Sequence, residues 1–104
     1  MKSEGLKQSQ KHEKRIAKRI GGKTRAASGA FWSGKGDVRN DDYLWEHKYT
    51  SKKSFSVTRT VLDKIEEEAI MDGRTPVLGL HIDGKDYVVL TEDDFIELLG
   101  ETDV

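Results

Sequence analysis

The sequence predicts an α/β domain in which helices flank a central mixed five-stranded sheet. Three observations lead to this prediction. Apolar residues recur at helical spacing in separate segments, short runs of strand-forming residues lie between them, and clusters of Gly, Asp and Asn separate the runs. The predicted order is helix, three strands, helix, two strands, helix. A chain of 104 residues suits one domain with a modest core.

The first helix is predicted over residues 11–20. Ile16 and Ile20 form a narrow apolar stripe at i and i+4, and Gly21-Gly22 ends the helix. The preceding residues, 1–10, are polar and basic, and we expect them to form a flexible N-terminal segment.

Three short strands are expected next. Residues 23–32 are rich in small side chains and are predicted to be extended. Residues 36–40 and 43–49 are then predicted to pair as a hairpin, because Asp41-Asp42 between them is a typical turn sequence.

The second helix is predicted to begin at a cap, Ser56 or Thr58, and to run to about Met71, with Asp72-Gly73 as its end. Residues 77–82 then form an apolar run that is typical of a buried strand.

The C-terminal part is predicted to complete the sheet and add a short helix. A turn over residues 83–86 joins the buried strand to a partner strand over residues 87–90. Thr91 then caps a helix over residues 95–99.

The net charge of −1 conceals a division along the chain. Residues 1–35 contain ten Lys and Arg side chains against two Glu, giving +8, so the remainder carries −9. A basic segment beside an acidic body favours a nucleic-acid partner, since phosphates would neutralise only the basic part. A solvated helix face is the alternative. The absence of Cys excludes disulfides and thiolate metal sites, and no apolar run has membrane-spanning length, so a cytoplasmic protein is expected.

Two acidic side chains and a lysine occupy the predicted hairpin. With a two-residue loop, Asp37 lies opposite Glu46, and the Cβ atoms of such pairs are about 4.5–5.5 Å apart. Like charges there favour a cation, and Mg²⁺ is usually held by one or two carboxylates with waters. Lys48 lies on the same side as Glu46, because strand side chains alternate. A three-residue loop would shift the register, and the residues could instead belong to an ordinary exposed strand.

Several residues carry a resemblance to a known family, and they are, in chain order, Glu13, Arg25, Ser28-Gly29, Asp37 and Glu46-His47-Lys48. They resemble the motifs of the PD-(D/E)xK nuclease superfamily, and most closely those of the small archaeal and phage Holliday-junction resolvases. The similarity covers about residues 11–90. Gly36 replaces the proline that precedes the aspartate in the family, a small departure because that proline shapes the strand and binds no metal.

The resemblance implies a restriction-endonuclease-like core and a Mg²⁺-dependent endonuclease, with Mn²⁺ as a substitute. Asp37, Glu46 and the backbone carbonyl of His47 would bind the metal, Glu13 would join them directly or through water, and Lys48 would position the attacking water. Family resolvases are homodimers that cut four-way junctions and leave 5′-phosphate and 3′-hydroxyl ends, in bacterial, archaeal or phage-infected cells. DNA contacts are expected from Lys23, Arg25, Ser28, Lys35, Lys53 and Ser54.

Several of these residues would also fit simpler roles. Glu13 could pair with a basic side chain one helical turn away. Phe31-Trp32 could stack on bases or pack in a core or dimer interface. His12 and His81 are isolated in the sequence and are not predicted to be ligands. The whole chain could be a nuclease of the same fold that acts on nicks, flaps or duplexes, or a non-catalytic nucleic-acid-binding module.

Overall fold

The structure is a computed structural model and describes residues 4–24 and 37–102. Within these residues the chain forms three helices and five strands. The element order confirms the predicted one. The elements are α1 (Glu4–Ile20), β1 (Lys23–Thr24), β2 (Val38–Arg39), β3 (Tyr43–Thr50), α2 (Arg59–Met71), β4 (Thr75–Ile82), β5 (Lys85–Val89) and α3 (Glu92–Thr102).

The strands form one mixed sheet in the order β1-β2-β3-β4-β5. The β3–β4 pair is parallel because α2 connects the two strands, and every other neighbouring pair is antiparallel. The predicted α/β class with a mixed five-stranded sheet is therefore confirmed.

The first helix is longer than predicted. It begins at Glu4, so residues 4–10, which we expected to be flexible, are helical. Several of these residues are good helix formers, and this favours extension of the helix towards the N-terminus. The helix ends as predicted: Gly21 has a φ of 66°, and the N–H of Gly22 donates to the Ala17 carbonyl at 2.8 Å.

The core lies on both faces of the sheet, because β3 alternates its side chains between them. Trp45 packs on the α1 side and Leu44 contacts Ala69 of α2 on the other side. By the same alternation His47 lies on the α1 side, and Glu46 lies on the α2 side. Within the described residues, the buried apolar side chains are Ile16, Ala17, Val38 and Val77 on the α1 side, and Leu44, Ile65, Ala69, Leu78 and Leu80 on the α2 side.

The C-terminal hairpin is tighter than predicted. Asp83 and Gly84, with φ values of 46° and 80°, make the turn alone. A turn of this type requires only two residues, so Lys85 and Asp86 join the ladder, and Asp86 pairs with His81.

The helix caps follow the sequence closely. The Thr58 hydroxyl accepts from the N–H of Val61 at 3.2 Å, and the Thr91 hydroxyl accepts from the N–H of Asp94 at 3.1 Å. The last helix is longer than residues 95–99, because acidic residues in its first turn extend it back to Glu92. Of the helices within the described residues, none has the length and apolar character needed to cross a membrane.

Candidate functional site

The β2–β3 hairpin has the predicted two-residue turn and the predicted register. Val38 pairs with Trp45, and Arg39 pairs with Leu44. The ladder stops there, since β2 begins at Val38 and the N–H of Asp37 donates to the Trp45 carbonyl at 3.0 Å. The predicted ladder pair of Asp37 with Glu46 is therefore not formed. The hydrogen bond holds the Asp37 backbone against Trp45, the residue before Glu46.

The Asp37 carboxylate nevertheless reaches the predicted place. Its Oδ2 atom accepts a hydrogen bond from the backbone N–H of His47 at 2.8 Å. The carboxylate thus lies against the peptide that joins Glu46 to His47. Bonding to a backbone N–H fixes the orientation of a carboxylate in a way that solvent contact alone would not.

Glu46 and Lys48 extend from the same side of β3, as their spacing predicted. The Lys48 Nζ atom lies 3.4 Å from the Glu46 Oε1 atom. The Glu46 side chain is 16 % exposed and that of Lys48 is 37 % exposed. The carboxylate is therefore largely shielded from water, while the ammonium remains accessible.

Glu13 approaches this group from α1. Burial, together with the negative charges of Asp37 and Glu46, raises the pKa of its carboxyl to about 7. Every salt bridge between side chains of the described residues involves other groups, so the alternative pairing of Glu13 with a basic neighbour is not present there. The structure thus places Asp37, Glu46 and Lys48 close together on the hairpin, and Glu13 lies near enough for the charges of Asp37 and Glu46 to act on its pKa.

Asn40 joins the elements that carry these side chains. Its Nδ2 atom donates to the Ile20 carbonyl at 3.1 Å, and its Oδ1 atom accepts from the N–H groups of Asp42 and Tyr43 at 2.9 and 2.8 Å. The Nε atom of Arg74 donates to the Asn40 carbonyl at 2.6 Å. The C-terminal end of α1, the hairpin and the start of β4 are therefore held by one residue.

A second group of polar side chains lies on the α1 side of the sheet. The ring centroids of His12 and His47 are 5.3 Å apart, and those of His12 and His81 are 4.2 Å apart. Our expectation that His12 and His81 are isolated was wrong, because the helical stripe and the parallel β3–β4 pairing bring them together. His12 precedes Ile16 by four residues, a spacing that could have indicated its direction.

Burial disfavours the charged form of the His12 and His47 imidazoles. Burial, with a smaller contribution from the neighbouring His12, lowers the pKa of His47 to about 4. Burial and His81 likewise lower the pKa of His12. His47 is 4 % exposed, and its ring stacks on that of His12 between α1 and the sheet.

Asp86 completes this second group. Burial alone would raise the pKa of its carboxyl, but the hydrogen bond from His81 and the charge of Arg15 lower it. The Asp86 Oδ1 atom lies 2.8 Å from His81 Nδ1 and 3.2 Å from Arg15 Nη2. Over residues 4–24 and 37–102, His12, His47 and Asp86 form a group that could hold a metal ion. The ligand atoms of these three side chains all lie within 4.8 Å of one another. The three carboxylates of the predicted site are more widely spaced.

The predicted DNA contacts are divided between described and undescribed residues. Lys23 lies on β1, and Lys53 and Ser54 precede α2; all three are exposed. The remaining predicted contacts lie outside the described residues, as does the aromatic pair, and these residues are Arg25, Ser28, Lys35, Phe31 and Trp32.

Comparison of the chain with protein-family models, with curated proteins and with solved structures finds no match in any of the three.

Proposed function

We propose that the protein is a Mg²⁺-dependent endodeoxyribonuclease of the PD-(D/E)xK type that resolves four-way DNA junctions. One observation carries the proposal: residues that are distant in the sequence lie near one another in the fold. Their side chains, three carboxylates and a lysine, are those that such a site requires. Asp37 contacts the peptide next to Glu46 at 2.8 Å, Lys48 lies 3.4 Å from Glu46, and Glu13 is close enough for both acids to raise its pKa.

The side chains present fit a hard divalent cation. Carboxylate and carbonyl oxygens are the ligands that Mg²⁺ prefers, and one or two carboxylates with waters usually suffice. Asp37, Glu46 and the His47 carbonyl would hold the ion, and Glu13 would reach it directly or through water. Burial and, after it, the negative charges of Asp37 and Glu46 raise the pKa of Glu13, and a cation would offset those charges.

Each residue of the group has a distinct role in the proposed reaction. When bound, Mg²⁺ supplies a more acidic water and neutralises charge on the phosphate. The Lys48 ammonium, held beside Glu46, orients the attacking water and stabilises charge that develops on the phosphoryl oxygens. The hydrogen bond to His47 keeps the Asp37 carboxylate aimed at the same region.

The charge distribution supports a DNA substrate. The exposed side of α1 carries Lys11, Lys14, Lys18 and Arg19, and α1 also carries Glu13 of the candidate site. Basic side chains on a helix can follow a phosphate backbone and fix the position of the duplex relative to the acids. Junction selectivity and a homodimer that makes two symmetric cuts follow from the resemblance to the resolvases.

The test is a cleavage assay on a panel of four-way junctions, flaps, nicked duplexes and linear duplexes, with and without Mg²⁺. Wild type is expected to place paired symmetric nicks in junctions only when Mg²⁺ is present. Glu46→Gln and Asp37→Asn keep the side-chain size and should abolish cleavage while leaving binding largely intact. Glu67→Gln, at an exposed position of α2, is the matched control and should cut at the wild-type rate.

Two outcomes would contradict the proposal in different ways. Salt-sensitive DNA binding without cleavage in Mg²⁺ or Mn²⁺ would indicate a non-catalytic binding module. Cleavage of flaps or nicks in preference to junctions would retain the nuclease and refute the junction substrate.

A further inference from the structure

The described residues contain a group of metal-ligating atoms that the proposed nuclease reaction does not use. His12 of α1, His47 of β3 and Asp86 of β5 each offer a ligand atom, and these atoms all lie within 4.8 Å of one another. The group lies on the α1 side of the sheet, whereas the side chains of Glu46 and Lys48 lie on the opposite side. Its ligand side chains differ from those of the carboxylate site, although Glu13 of that site follows His12 in α1.

Each of the two imidazoles in this group has a buried ring nitrogen without a hydrogen-bond partner among the described residues. The His12 Nδ1 and His47 Nε2 atoms are buried and, within the described part of the chain, make no hydrogen bond. A buried polar atom without a partner costs about 1–3 kcal/mol, so such atoms usually serve a ligand or a catalytic role. For His47 the whole residue is 4 % exposed, which leaves bulk water unable to satisfy it.

Asp86 is oriented towards the group by two neighbours. His81 Nδ1 lies 2.8 Å from Asp86 Oδ1, and Arg15 Nη2 lies 3.2 Å from the same oxygen. Partners of this kind fix ligand orientation around protein-bound metals. The His81 ring, with its centroid 4.2 Å from that of His12, also packs against a ligand ring.

The geometry points to a binding site for a divalent transition-metal ion, with Zn²⁺ as the representative, formed by His12, His47 and Asp86. Two imidazoles and a carboxylate with one remaining position for water is a ligand set that suits Zn²⁺. Zinc–nitrogen bonds of about 2.0–2.1 Å place tetrahedral ligand atoms about 3.3–3.5 Å apart. Since the ligand atoms lie within 4.8 Å of one another, each separation must shorten by at most about 1.5 Å to reach this value. The ion would then join α1, β3 and β5.

The neighbouring indole does not prevent coordination. Trp45 Nε1 lies 3.4 Å from His47 Nδ1, a separation longer than a good N–H hydrogen bond. A metal at His47 Nε2 places the ring proton on Nδ1, so this contact must lengthen slightly. Little hydrogen-bond energy is lost, because the contact between the indole and the imidazole is already long.

The test is metal binding by the tag-free full chain, measured by calorimetric titration with Zn²⁺ and by the visible spectrum of bound Co²⁺, in excess Mg²⁺. Wild type should bind one ion per chain. His12→Gln and Asp86→Asn should each weaken binding by about 100-fold or more, since loss of even an outer partner of a ligand costs about 10–100-fold. Asp83→Asn changes an exposed acid in the turn before Asp86 and should bind as wild type does.

A second comparison separates this site from the nuclease site. Glu46→Gln removes a proposed Mg²⁺ ligand and should leave the Zn²⁺ affinity and the Co²⁺ spectrum unchanged. Equal Zn²⁺ binding by wild type and His12→Gln would overturn the inference, as would no binding by wild type. Loss of Zn²⁺ binding in Glu46→Gln would assign the ion to the carboxylates instead.

Discussion

The Glu13 carboxyl makes the stability of the metal-free protein depend on pH. Its pKa in the folded state is about 7 against an ordinary value of 4.5. The folded chain therefore binds more protons than the unfolded chain between these values. Stability should fall as pH rises through this window and then level off above about pH 7. Glu13→Gln, which cannot ionise, should remove this fall.

The magnitude follows from the same two values. The interval between 4.5 and about 7 corresponds to about 3 kcal/mol for a site fully shielded from water. Glu13 is only partly buried, and solvent screening weakens charge interactions at such positions, so about 1 kcal/mol is expected. In a domain of this size that is a shift in Tm of about 4–8 °C.

The assay is urea unfolding in chelator-treated buffer across the range from pH 5 to pH 8. Glu13→Gln should gain on wild type as pH rises, whereas Glu67→Gln should follow wild type. Added Mg²⁺ should reduce the difference, because a cation favours the ionised carboxylates. Parallel pH profiles for wild type and Glu13→Gln without metal would refute the raised pKa of Glu13, to which burial contributes most and Asp37 and Glu46 contribute next.

Three further substitutions, one of them with a matched control, test the packing and hydrogen bonding of the fold. Gly79→Ala should lower the free energy of unfolding by about 1–3 kcal/mol in urea, because an added Cβ would overlap the rings that β3 places over this glycine. Asn40→Ala should cost about 1–3 kcal/mol by the same measurement, since three hydrogen bonds of its side chain are lost. Asp41→Ala, exposed in the same turn, should cost less than about 0.5 kcal/mol, and equal losses for these two would contradict the role given to Asn40. Leu78→Ala, at a position 1 % exposed, should cost about 2–5 kcal/mol, and an unchanged thermal midpoint would place it outside the core.

The parts of the fold that local chemistry decides could be predicted from the sequence. A two-residue turn fixes the pairing of the strands on either side of it, so the register of Val38 with Trp45 followed once Asp41-Asp42 was taken as the whole loop. Alternation along β3 then placed Glu46 and Lys48 together. Caps and glycines likewise predicted where α2 begins and where it ends.

The remaining features depend on contacts between distant segments. Nothing local indicates that the N–H of Asp37 turns to the Trp45 carbonyl while its carboxylate reaches His47. The histidine group requires α1 to lie across β3 and β4, so His12 and His81 are neighbours only after the sheet has formed. The tight turn at Asp83 was also missed, and it is this turn that places Asp86 beside them.

The contact between Trp45 and His47 gives the protein an optical reporter. The indole Nε1 atom lies 3.4 Å from the imidazole, and both rings cover Gly79. Indole fluorescence is quenched by a protonated imidazole at such range, so the emission of Trp45 should respond to the state of His47. Trp32 is the second tryptophan of the chain, and Trp32→Phe leaves Trp45 as the one indole. Events at a buried ring can then be followed in solution without a label.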